Sequence, residues 1–128
     1  MLVRDVEQIR GTERDVDWGN GKSYRLVTAA DNVGYTVCHT VVSAGTTSFL
    51  QYRNHLESCY CISGLGWVRE VSGTRHRLRP GVIYILNDHQ PHYLCADEDD
   101  DLVLLSIFNP PLVGTEKHNL NDSVASSY

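Results

Sequence analysis

The chain has 128 residues, 41% of them hydrophobic, and a formal net charge of −5. That length suits one domain with one core; no apolar run reaches the roughly 18 residues of a membrane helix, and no basic cluster offers a footprint to nucleic acid. Residues Met1–Arg10 are charged throughout and lack the pattern of a secretion signal, so a cytoplasmic location is expected.

In chain order, residues 1–10 read as a short strand or an irregular arm. Gly11-Thr-Glu-Arg-Asp-Val16 is polar and turn-like. The loop that follows, Asp17–Ser23, has two Gly and an Asn and carries Trp18 as a packing residue. A strand starts over Tyr24–Val27, Asp31–Gly34 turns, and Tyr35–Val42 is β-branched and strand-like. Ala44-Gly45 turns into a strand over Thr46–Arg53. Next come strands at Leu56–Ile62, Trp67–Val71, Arg75–Leu78, Val82–Leu86 and His92–Cys95, each bounded by turn residues. Ala96–Asp101 is an acidic, solvated turn. Leu102–Phe108 is the most apolar run and is predicted to be a central strand. No helical periodicity persists beyond about two turns, and turn signals recur roughly every 8–12 residues. Together these predict an all-β sandwich or barrel with no internal repeat.

One stretch carries the chemistry. Leu56, Tyr60 and Ile62 share one face of their strand, so Glu57, Cys59 and Cys61 share the other. Cysteine is among the most buried residue types, which turns Glu57 inward. A buried carboxylate has to be hydrogen-bonded, protonated or bound to a metal. Glu57 is therefore either a satisfied polar residue near a barrel mouth or the wall of a site. The four cysteines, Cys38, Cys59, Cys61 and Cys95, are read as buried and reduced. A zinc site joining Cys59 and Cys61 to Cys38 and His39 is the alternative.

The spacing of Gly45, Glu57-x6-Gly64 and Pro80-Gly81-x2-Tyr84 resembles the two motifs of cupins. These are small double-stranded β-helix (jelly-roll) barrels that usually hold a metal in the mouth. The usual cupin His pair falls near Gln51 and Arg53, Glu57 takes the glutamate position, and Tyr84 replaces the second motif's His. Within cupins the chain resembles the ectoine synthases. The resemblance rests on Gly11-Thr-Glu-Arg-Asp-Val16, Asn54-His-Leu-Glu57, Pro80-Gly81 with Tyr84, His92-Tyr-Leu94 and Phe108-Asn-Pro-Pro-Leu112, in this order. It runs from about residue 11 to about residue 118. The departures are Gly21, where the family commonly has Trp while Trp18 lies three residues earlier, and Cys38-His39 before Thr40.

The resemblance implies an enzyme, a lyase of osmoprotection. It would close N-γ-acetyl-L-2,4-diaminobutyrate to the compatible solute ectoine with loss of water. It implies one metal, Fe(II) first and Zn(II) or Mn(II) next, held by Glu57, Tyr84 and His92. It implies substrate contacts from Arg25, Thr40, Tyr52, Phe108, Glu116 and His118, with proton transfer from among Tyr52, His55, Glu116 and His118. The residue types suit the reaction. A carboxylate, a phenolate and an imidazole make a mixed oxygen and nitrogen set that iron accepts. A guanidinium clamps a carboxylate in two-point fashion, and a Phe wall excludes water.

The ordinary readings are that Tyr84 is a core tyrosine, His92 a surface turn residue, Arg25 a surface ion-pair residue and His55 an orienting partner of Glu57. Two other functions stand beside the first. One is a divergent metal-dependent cupin acting on another small amino-acid derivative. The other is a non-catalytic cupin that binds a small molecule. Residues 1–118 are taken as the barrel with an N-terminal arm and a lid-like C-terminal segment, and 119–128 as a flexible tail. A homodimer is expected, because a small barrel has strand edges to cover.

Overall fold

A computed structural model of the chain describes residues 1–120 and 124–128. Residues 121–123, part of the stretch expected to be a flexible tail, lie outside the described residues. The N-terminal arm forms one helical turn, α1 (Val6–Ile9), rather than a strand. The Asp5 carboxylate accepts the Glu7 N–H at 2.9 Å, and the Gln8 side chain accepts the Asp5 N–H at 3.3 Å. This reciprocal cap starts a helix that the next residues do not extend.

Among the described residues eleven strands follow: β1 (Asp15–Asp17), β2 (Gly21–Val27), β3 (Thr36–Val42), β4 (Thr47–Gln51), β5 (Leu56–Ser63), β6 (Gly66–Glu70), β7 (Arg75–Leu78), β8 (Ile83–Leu86), β9 (His92–Ala96), β10 (Leu102–Asn109) and β11 (Ser126–Ser127). They make one sheet in the order β1-β2-β3-β10-β5-β8 and a second in the order β11-β4-β9-β6-β7. The expected all-β jelly roll is present as two facing sheets that do not join into one closed ladder. β10 is central as expected, paired antiparallel with both β3 and β5. The short β1 falls in the stretch expected to turn. Its three residues pair with Lys22–Tyr24 of β2, too few to leave a periodic signal.

Alternation decides which side chains enter the sandwich. On β5, Glu57, Cys59 and Cys61 are buried, and Leu56, Tyr60 and Ile62 are exposed. The inner faces meet in two places. Val42, Cys61, Leu102 and Leu104 of the first sheet pack on Leu50, Val68, Leu78 and Leu94 of the second. Each Leu or Val so buried contributes about 1.5–3 kcal/mol. Towards the other end, Cys38, Tyr52, Leu86, Phe108 and Leu112 form a smaller cluster with Tyr84 and Tyr128 against it.

The end of the chain is placed against the barrel. Ser126 and Ser127 add a parallel strand beside Leu50 and Gln51, and the Tyr128 ring sits 5.1 Å from Tyr52 and 4.5 Å from His118. Among the described residues no helix is long and apolar enough to cross a membrane. All four cysteines are free. Cys38 and His39 are neighbours on β3, so their side chains leave opposite faces of the sheet. The four-residue zinc alternative therefore does not form.

Candidate active site

Among the described residues, five buried side-chain polar atoms have no hydrogen-bond partner: Asp15 Oδ1, Arg25 Nη1, Glu57 Oε1, Tyr84 OH and His92 Nε2. Buried polar groups are nearly always paired, so each such atom calls for a reason. Four of the five belong to residues singled out above as metal or substrate ligands.

Glu57, Tyr84 and His92 come from three strands that bring them to one end of the sandwich. Glu57 on β5 pairs with Leu86 of β8, and Cys59 pairs with Tyr84, so Glu57 and Tyr84 are near neighbours across the β5–β8 ladder. β9 lies in the opposite sheet and brings His92, whose ring is 6.3 Å from that of Tyr84. His92 is 2% exposed, so it is no surface turn residue.

Its Nδ1 lies 3.1 Å from the Gln90 carbonyl. A carbonyl only accepts, so Nδ1 carries the proton and Nε2 keeps its lone pair. That is the tautomer a metal ligand needs, with its second nitrogen fixed by the backbone. Burial pushes the His92 pKa down to about 4, which keeps the ring neutral. Burial pushes Glu57 up to about 8 and Tyr84 well above the usual phenol value. Without a cation these two groups hold protons, and a bound cation would supply the charge that makes the anionic forms favourable. Three orphaned donor atoms of types O, O and N fit a divalent metal. No cluster of three or more His, Cys, Asp or Glu occurs among the described residues, so a three-ligand set at this end would need the phenol.

The substrate-side residues lie beside this group. Arg25 is 1% exposed and not a surface residue. Its Nε donates to Ser23 Oγ at 2.8 Å and its Nη2 to the Glu116 carbonyl at 2.6 Å, leaving Nη1 without a hydrogen bond. The Glu116 carboxylate is 3.8 Å from that Nη1 and is turned back on its own loop, accepting the N–H groups of Val113 at 2.9 Å and Gly114 at 2.8 Å. Burial works against its charge, but these backbone bonds and Arg25 hold its pKa below the usual range. Such a carboxylate orients Arg25 and is a poor base.

Tyr52 and His118 form a pair, with His118 Nε2 3.1 Å from Tyr52 OH. On the other side of the ring His118 Nδ1 meets Ser126 Oγ at 2.9 Å. Burial pushes His118 down to about 3, so the ring is neutral and can accept a hydrogen bond from the Tyr52 hydroxyl. Tyr52 packs edge-on against Phe108 at 5.1 Å. Thr40 bonds to Ser106 at 2.9 Å. His55 donates Nδ1–H to the Pro110 carbonyl at 2.7 Å and so pins the turn before Glu57 to the turn after Phe108.

A cavity with about 30 Å³ of water-reachable space lies between these side chains, with Thr40, Tyr52, Glu57, Tyr84, Phe108 and His118 in its wall. That is room for about two waters. Tyr84 and His92 also face a wider groove of about 640 Å³ between β8 and the β6–β7 hairpin.

Three participants escaped the sequence reading. Trp18 is buried and lines the cavity, edge-on to His118 at 6.1 Å, with its indole N–H on the Val41 carbonyl at 3.1 Å. At Gly21, by contrast, φ is +150° and a Cβ would collide with that same carbonyl, so a side chain cannot stand there and the aromatic wall comes from Trp18. His89, read as part of a loop, has φ 52°. Its Nδ1–H reaches the carbonyls of Tyr52 at 2.8 Å and His55 at 3.1 Å. It thus ties the turn carrying Tyr52 and His55 to the loop carrying His92. Tyr128 completes the wall from the chain's end.

Comparison with known proteins gives the family. The family model described as "Ectoine synthase" matches residues 1–127. The L-ectoine synthase of Aliivibrio fischeri (strain MJ11) is 39% identical over 121 residues, covering 94% of each chain. The crystal structure of ectoine synthase from P. lautus superposes with a TM-score of 0.84 at 36% identity, covering 89% of this chain and 81% of that one. A cupin 2 conserved barrel domain protein from Salinispora arenicola shares the fold at 16% identity, with a TM-score of 0.66 and coverage of 84% and 87%.

Proposed function

The chain belongs to the ectoine synthase family, and from that premise we propose that it converts N-γ-acetyl-L-2,4-diaminobutyrate into ectoine by metal-assisted ring closure. The observation that carries this reading is the set of orphaned atoms: Glu57 Oε1, Tyr84 OH and His92 Nε2 on one side and Arg25 Nη1 on the other.

Glu57, Tyr84 and His92 would hold the metal, Fe(II) by preference, with Zn(II) or Mn(II) also suited to the donor set. When bound it supplies Lewis-acid polarisation of the acetamide oxygen. The remaining work falls to the chain's own residues. Arg25 Nη1 binds the substrate carboxylate, and Glu116 and Ser23 keep the guanidinium aimed. Thr40 and Phe108 hold the chain of the substrate bent, so that its 2-amino nitrogen meets its own amide carbon. Positioning of this kind is worth several kcal/mol. The C–N bond forms, Tyr52 and His118 relay the two amine protons to the former amide oxygen, and as the C–O bond breaks that oxygen leaves as water and a C=N bond remains. Phe108 and Trp18 keep bulk water out, which a dehydration requires. His118 and Tyr128 cover the mouth in the manner of a lid.

The chain works in the cytoplasm as a homodimer and serves osmoprotection. The outer face of β8, β5 and β10 supports the dimer: Ile83, Ile85, Leu56, Tyr60, Ile62 and Ile107 are all exposed there, on adjoining strands, with β8 as an open edge. A contiguous apolar face of this kind marks a protein interface.

The test is anaerobic incubation of iron-loaded protein with N-γ-acetyl-L-2,4-diaminobutyrate, followed by chromatography for ectoine, with Glu57→Ala in parallel. Ectoine from the wild type alone supports the reading. A folded, iron-loaded wild type that makes none overturns it and turns attention to related amino-acid derivatives.

A further inference from the structure

The floor of the cavity carries a row of hydroxyl and thiol groups of which the reaction above uses only Thr40. Ser106 on β10 stands opposite Cys59 of β5 on one side and Cys38 of β3 on the other. Its Oγ is 2.9 Å from Thr40 Oγ1 and 3.4 Å from Cys59 Sγ. Cys59 is two residues after Glu57 on the same inward face of β5, so the thiol stands beside the Glu57 side chain in the cavity wall. The chain Thr40–Ser106–Cys59–Glu57 thus crosses three neighbouring strands, and all four side chains line the cavity.

What makes this row matter is the isolation of Glu57. Neither backbone N–H nor guanidinium is recorded against its carboxylate, and Oε1 has no partner. A carboxylate that ligates a metal is ordinarily held by a hydrogen bond of its own, and losing that bond weakens metal binding about 10–100-fold. The Cys59 thiol is a donor and stands where such a bond is needed. Ser106 has the Thr40 hydroxyl on one side and the Cys59 thiol on the other, so it can accept from Thr40 and donate to the sulfur, which leaves the thiol proton free to point elsewhere.

We propose that Cys59 is a positioning residue for the metal site: held by Ser106 and Thr40, its thiol donates to one oxygen of Glu57 and leaves Oε1 facing the cation. Cys59 acts through Glu57 and does not itself ligate, in keeping with the absence of a three-residue His, Cys, Asp and Glu cluster among the described residues. The same row links Thr40, at the substrate end, to the ligand carboxylate. The inference rests on Glu57 being a ligand.

The test uses the full-length, metal-free protein titrated with Co(II) alone, with affinity read by competition against a chelator. Melting curves of the metal-free forms run alongside. Cys59→Ala is expected to weaken Co(II) binding about 10–100-fold. Cys59→Ser, which restores a donor of similar size, is expected to recover affinity to within roughly three-fold, and Ser106→Ala to show an intermediate loss. Unchanged Co(II) affinity in a folded Cys59→Ala overturns the inference. So does a Cys59→Ser variant as weak as Cys59→Ala, because that pattern belongs to packing. Glu57→Ala separates the two levels. If it binds Co(II) as the wild type does, the ligand reading itself fails. If it loses binding while Cys59→Ala keeps it, only the role of Cys59 fails.

Discussion

Followed along β10, the interior changes its rules. Leu102 and Leu104 are fully buried among Val42, Leu50, Val68 and Leu94, and nothing polar there lacks a partner. Two residues further on, Ser106 and Phe108 face Cys59, Thr40 and Tyr52, and the orphaned atoms of Glu57, Tyr84 and His92 lie close by. The same strands build both ends. One end is organised to hold the sheets together. The other withholds hydrogen bonds that a fold concerned only with stability would make. The contrast teaches that burial alone does not identify a site here. Burial without a partner does for four of the five orphaned atoms; the fifth, Asp15 Oδ1, has Lys22 Nζ at 3.3 Å.

The widest separation of the two ends comes from a pair of substitutions. Glu57→Gln is expected to remove essentially all product formation while leaving the metal-free melting temperature unchanged or slightly higher, because it replaces a buried, unpartnered carboxyl with a neutral amide. Leu102→Ala is expected to do the reverse. It empties space in the sealed end at a cost of about 2–5 kcal/mol, and kcat measured well below its lowered melting point stays near that of the wild type. The readouts are thermal melts and turnover of both variants. A Glu57→Gln protein destabilised as much as Leu102→Ala would dissolve the distinction between the ends.

A finer cut lies within the site end. Arg25→Lys keeps a positive charge but gives up the fork that reaches Ser23 and the Glu116 carbonyl at once. A lysine cannot hold those two contacts and still present a free donor. A charge-assisted hydrogen bond is worth about 1.5–3 kcal/mol, so KM is expected to rise roughly 10–100-fold with metal affinity unchanged. Steady-state kinetics with Co(II) titration checks this. A change in kcat alone would place Arg25 outside the carboxylate pocket.

The sealed end was the more legible one. The alternation on β5 and the apolar run of β10 state their own periods, and both turned the expected faces inward. Cysteine burial was enough to place Glu57 inside. The site end was legible only where a motif carried it. Tyr84 in Val82–Leu86 and His92 after Pro91 read locally as a core ring and a turn residue. What marks them is the absence of a partner, which only three-dimensional neighbours reveal. Trp18, His89 and Tyr128 were missed for a related reason. Trp18 reaches the cavity because Gly21 lets the chain pass close to Val41. His89 acts through backbone carbonyls 34 and 37 residues away. Ser126 and Ser127 become a strand only because β4 offers an open edge, and a Ser-rich segment does not announce that. The capping pair Asp5 and Gln8 was readable, but a four-residue helix has no period to confirm it.

Asp31 supplies the smallest and most controlled test of the contrast, because it is a half-buried carboxylate with every need met. It accepts from Arg4 at 2.7 and 3.0 Å, from Arg14 at 3.5 Å and from the Thr28 N–H at 3.0 Å. The Arg4 hydrogen bond, then the Thr28 N–H, hold its pKa down at about 2 against burial. A carboxyl whose folded value is depressed adds stability that is fully present above its unfolded value, near 3.8. That stability is lost as pH falls towards about 2, because the unfolded chain then binds the proton first. Asp31→Asn is therefore expected to cost about 1 kcal/mol at neutral pH and to flatten the fall of stability between pH 4 and 2. Turnover at neutral pH is expected to stay within a factor of two. Denaturant melts of both proteins across that range decide it. An unchanged acid slope in Asp31→Asn would mean that Asp31 is not the carboxylate whose protonation loosens the arm.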